Sequence, residues 1–138
     1  MKKSHPKNPA TVLFSALNSP KREARLVEAL PWVLLRFPDL EWGELVKAAK
    51  VNDLQNRLGF VTNVARRLAE SKGDMNTAEK LRHHEEQFDR SLLFREDTLC
   101  NESMTSAERK WLLSHRTDDA RRWRLLTSLL PEHLNYGE

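Results

Sequence analysis

From residue 8 onward, apolar side chains recur every three to four positions, and a capping or breaking residue stands at nearly every interruption. Asn8-Pro9 offers an N-cap followed by proline at the first helical position. Val12, Leu13, Ala16 and Leu17 then share one face, which predicts a short helix ending near Asn18. Ser19-Pro20 repeats the device before Val27, Leu30, Leu34 and Phe37. Pro31 lies within that run, and its missing N–H and the clash of its ring with the preceding turn predict a kink or a break there. Asp39 is placed to cap a helix bearing Trp42, Leu45, Val46 and Ala49, and Asp53 to cap the next.

That next helix has the cleanest stripe of the chain: Leu54, Leu58, Val61, Ala65, Leu68 and Ala69, with Arg66, Arg67 and Glu70 turned to solvent. Gly59 inside it costs about 1 kcal/mol relative to alanine, which implies a neighbouring helix crossing closely at that point. Lys72-Gly73 marks the stop. Between Asn76 and Leu93 the pattern thins to Ala78, Leu81, Phe88 and Leu92, the narrow seam of an exposed helix. The stretch REDTLCNES, residues 95–103, has no period and reads as a surface linker. Thr105 and Glu108 form a capping box for a helix with Ala107, Trp111 and Leu112 that ends near His115. Thr117 caps a last helix whose buried face is Trp123, Leu126 and Leu130, stopped by Pro131. The prediction is an all-α fold: an irregular bundle of about six to seven short helices, HEAT-like stacking being one form of it, although no fixed internal repeat is present. Residues 1–7 read as a flexible basic tail and 8–138 as one helical domain.

Composition narrows this further. Four glycines among 138 residues disfavour turn-rich β architectures, and four tryptophans argue for a folded core, with Trp32, Trp42, Trp111 and Trp123 all at helical spacing. No apolar run is long enough to span a bilayer and the first residues lack a signal-peptide core, so a cytoplasmic location is expected. Cys100 is the only cysteine, which excludes an intramolecular disulfide. The formal charge of +3 conceals an asymmetry, because residues 1–25 hold six Lys/Arg against one acid. Lys2, Lys3, Lys7, Lys21, Arg22 and Arg25 are therefore the candidate contacts for nucleic acid, through release of counterions from phosphates.

The chemistry-bearing groups are sparse. His83-His84-Glu85-Glu86 lacks the i, i+4 histidine spacing of a helical zinc motif and reads as a solvated face. Cys100 beside His115, with Asp118 as orienter, is a conceivable thiol site without a signature around it. The glycines stand singly, so no phosphate loop is present. No cofactor, metal or catalytic residue is assigned.

The runs RLVEALPWVLLRFPDLEW, DLQNRLGFV, REDTLCNESMTSAERKWLL and ARRWRLLTSLLPEHL together resemble the helical region of bacterial regulators related to Xre-type helix-turn-helix proteins. The RLGF element is also similar to the helical part of abortive-infection antitoxins. The resemblance spans residues 9–135 and carries no functional residue with it. Such regulators place a DNA-binding module ahead of the helical region, and its absence here points away from autonomous base readout. The expected function is a non-enzymatic regulatory or antitoxin-like module that binds another protein, with Arg57, Arg66 and Arg67 as contacts because the guanidinium fork suits interfaces. The alternative is a nucleic-acid-binding transcriptional regulator that uses the basic N-terminal segment.

Overall fold

The computed structural model describes residues 8–19, 22, 24–94, 97–99, 105–127 and 129. Seven helices run through them in chain order: α1 Pro9–Asn18, α2 Ala24–Arg36, α3 Trp42–Val51, α4 Gln55–Ser71, α5 Met75–Arg90, α6 Ser106–His115 and α7 Asp118–Arg122. Two short strands, β1 Asp97–Thr98 and β2 Leu125–Leu126, pair in parallel, Asp97 opposite Leu125 and Thr98 opposite Leu126. The all-α multi-helix bundle expected from the hydrophobic pattern is what the chain forms.

Helix α4 is the axis of the bundle. It packs most extensively on α5 and also meets α1, α2, α3 and α7. Its stripe of Leu54, Leu58, Val61, Ala65, Leu68 and Ala69 is buried to within a few per cent, and Phe60 and Val64 on another side are buried as well. A helix surrounded in this way buries apolar side chains around most of its circumference, so its polar residues must find partners inside the fold. Leu13 and Leu17 of α1, Val27, Leu30 and Leu34 of α2, Leu45 of α3, and Leu81 and Phe88 of α5 complete the core.

Several local readings hold. Asn8 caps α1 through a bond from the Ala10 amide, and Thr105 and Glu108 form a complete capping box on α6. Thr117 caps α7 by accepting from the Ala120 amide. Gly73 adopts φ 79° and the Asp74 amide reaches back to the Ala69 carbonyl, a left-handed stop for α4.

Others are corrected. Of the kink or break expected at Pro31 the break is ruled out: α2 is one helix with Pro31 inside it, and Val27, Leu30 and Leu34 on either side are buried in the core. Asp39 bridges to Lys80 rather than capping α3, whose N-cap position is Glu41 with no side-chain bond. Asp53 ends α3 rather than starting α4: it takes φ 57°, and the Leu54 amide reaches back to the Ala49 carbonyl. The final helix among the described residues is only Asp118–Arg122. Arg124 at φ 58° turns the chain, so Leu126 is buried in β2 and not on a helix; Leu130 and Pro131 lie outside the described residues. The stretch read as a surface linker contributes β1 and the buried Leu99. Trp111, read with the core tryptophans, is 54% exposed, and Phe37 of the predicted α2 face is also exposed.

Candidate interaction surface

Two of the three arginines singled out as contacts, Arg57 and Arg66, are bound up inside the bundle. Arg57 of α4 donates to the carbonyls of Leu17 at 2.9 Å and Thr98 at 3.2 Å and to Asp97 at 3.0 Å. One guanidinium thereby ties the end of α1 to β1. Arg22, a candidate for nucleic acid, is 8% exposed and completes the same node by donating to the carbonyls of Leu99 and Ser19 and to the Thr98 hydroxyl. Its charge faces carbonyl oxygens, not solvent. Arg66, expected to face solvent, is mostly buried and donates both to Glu70 and to Glu85. Burial opposes its charge, yet the bonds and the negative charge of Glu85 and Glu70 outweigh that and hold its pKa above the ordinary value. Glu85, part of the stretch read as a solvated face, is itself buried and also receives Arg122 of α7. The set reads as structural cross-links joining α4, α5 and α7.

Arg67 is half exposed and pairs with Asp119, a bond that raises its pKa. Arg25 is exposed and has no ion pair among the described residues. Lys2, Lys3, Lys7, Lys21 and Cys100 lie outside the described residues. His115 stacks on Trp111 with its Nδ1 2.9 Å from the Trp111 carbonyl, while Asp118 pairs with Arg121, so neither is turned toward the other as base and orienter. No group of three metal-capable side chains occurs among the described residues.

The surface that stands out is one the sequence reading passed over. Helix α6 has no buried residue, although its capping box makes it a well-started helix. Leu112 is its only half-buried side chain, and just beyond its end Arg116 donates to the Leu125 carbonyl at 3.3 Å. Trp111 and Leu113 are 54% and 45% exposed. The Trp111 indole and the His115 imidazole lie parallel, centroids 4.5 Å apart and planes 7° off, which fixes the indole as a flat apolar plate. Arg109 and Lys110 precede it on α6, exposed and with no ion pair among the described residues. Trp111 and Leu113, two positions apart and so on opposite flanks of the half-buried Leu112, are two large apolar side chains left in water, and exposed aromatic and aliphatic side chains of this kind are enriched in interaction surfaces. The signal was present in the sequence as KWLL after a capping box, but periodicity alone does not say which helix finds a core to lie on.

A groove of about 600 Å³ between α1 and α2, lined by Thr11, Val12, Ser15, Ala16 and Leu26 among others, is a second shallow feature. No family model, no curated protein and no solved structure matches the chain. No helix among the described residues is long and apolar enough to cross a membrane.

Proposed function

We propose that this chain is a non-enzymatic protein-interaction module, regulatory or antitoxin-like in the manner its sequence resembles, and that it docks through α6. The observation that carries the reading is the exposure of Trp111 and Leu113 on a capped helix with no buried residue. A helix that short gains little from intrinsic propensity, and a partner that buries its apolar side chains supplies the missing stabilisation. Recognition of this kind is helix-in-groove, with Trp111 as the anchor and Arg109 and Lys110 at the rim. Arg57 and Arg66 support the bundle that presents α6, and the contact role moves from them to α6.

A second reading, nucleic-acid binding through the basic N-terminal segment, is favoured by Arg25, which is exposed without an ion pair among the described residues. Arg22 does not contribute to it, since its guanidinium is bonded within the fold.

The experiment is a tagged pull-down from the host's own lysate after nuclease treatment, run in parallel with the wild-type chain and a Trp111→Ala/Leu113→Ala variant. A protein retained by the wild type and lost from the variant supports docking through α6. Equal retention removes α6 from consideration. Recovery of nucleic acid alone from an untreated lysate, lost as salt is raised, supports the second reading.

A further inference from the structure

We infer that the Trp42–His84 stack is an acid-sensitive clasp: with a neutral imidazole it holds the first turn of α3 against α5, and protonation of His84 releases that turn. Trp42 opens α3 and is 6% exposed. Its indole N–H donates to the Pro38 carbonyl at 2.8 Å, which ties the ring to the turn between α2 and α3. The indole lies flat on the His84 imidazole, centroids 4.1 Å apart and planes 9° off parallel, and Phe88 one turn along α5 meets the same indole at 6.4 Å. His84 Nδ1 is 3.0 Å from Gln87 Oε1. With that oxygen as acceptor the ring hydrogen sits on Nδ1, and Nε2 is where a second proton binds.

The groups acting on the ring are few. The bond with Gln87 and the charge of Asp39, from the turn before α3, favour a charge; His83, edge-on at 5.1 Å, opposes one. Asp39 is itself bridged to Lys80 at 3.0 Å, one helical turn before His84 on α5. Removal from water is the largest influence and holds the imidazole below its ordinary range, against the attraction that the face of the Trp42 indole exerts on a charged ring. A released ring is solvated and takes a proton more readily, so acid favours the released state by linkage. The opening is local, because Leu45 and Ala49 anchor the rest of α3 in the core. The other bond across the junction, Asp39 to Lys80, is exposed and holds weakly.

The test is an NMR titration of the full chain from neutral pH to about pH 5. It follows the His84 ring protons together with exchange protection of the Leu45 amide, which donates to the Glu41 carbonyl across the first turn. The result expected is a His84 midpoint below the ordinary imidazole value of about 6.5. Leu45 protection should fall severalfold through that midpoint, and protection in α4 by no more than that. His84→Phe keeps a stacking ring that cannot titrate and should abolish the response, whereas His83→Gln should retain it. A midpoint at or above the ordinary value, Leu45 protection flat across the titration, or the same response in His84→Phe would each overturn the clasp.

Discussion

Gly59 shows how far one missing atom reaches. A Cβ at that position would run into the six-membered ring of Trp123, a side chain with no measurable exposure. Helix propensity alone predicts that Gly59→Ala stabilises α4 by about 1 kcal/mol. Overpacking against a buried indole predicts the reverse, and we expect a loss of about 1–3 kcal/mol in chemical denaturation, since the ring cannot move without disturbing the turn that leads into β2. A stabilised variant would mean that Trp123 has room to shift. The sequence made the close approach legible, as a glycine inside an otherwise regular stripe, but it suggested a crossing helix rather than an indole from the end of α7. Arg22 and Arg57 were misread for a related reason. A cation among polar neighbours looks solvated in a linear sequence, and the carbonyls of Thr98 and Leu99 that accept from the two guanidinium groups are more than forty residues away.

At the scale of the element, α6 should behave as an almost independent unit. Thr105→Ala removes the hydroxyl that accepts the Glu108 amide and breaks the reciprocal bond between them. A lost cap of this kind costs about 1 kcal/mol. Because α6 buries no residue, we expect that cost to appear as faster amide exchange within Ser106–His115, with the global denaturation midpoint scarcely moved. A global loss of the full amount would show α6 to be part of the cooperative unit. Element existence was the most legible layer here: Asn8, Gly73, Thr105 with Glu108, and Thr117 act within one turn of themselves, so local sequence specifies them. Burial was not, since Trp111 and Trp123 occupy similar helical patterns and only the path of the chain after Arg124 sends one inward and leaves the other in water. The strand pair was invisible because each strand is two residues long and its partner lies outside any local window.

For the whole molecule, the pH dependence has a definite sign. His84 is held below its ordinary value by burial, so its contribution is present above about pH 6.5 and is lost as acid drives the ring to its charged form. Asp74 and Glu108 are also held below their ordinary values, by bonds from Thr77 and Thr105, and their contribution is lost only at lower pH, as the carboxylates protonate. Arg66 and Arg67, both raised, stay charged throughout. We therefore expect stability to fall in two steps on acidification, a small one below about pH 6.5 that disappears in His84→Phe and a second in the carboxylate range. A thermal melting series that is flat from pH 7 to 5 would remove the first step. The node of Arg22, Arg57 and β1 carries a further consequence, for the order in which the molecule assembles. Helices α1 to α5 pair largely with near neighbours along the chain, whereas the acceptors of these two guanidinium groups other than the Leu17 and Ser19 carbonyls belong to residues 97–99, and β1 in turn pairs with Leu125 and Leu126. Closing loops of that length is slow compared with forming and pairing adjacent helices. A nascent chain that has just completed α5 holds two arginines in a forming interior with only the Leu17 and Ser19 carbonyls of their partners made, and the later arrival of β1 and β2 is what allows the end of α1 to be locked down.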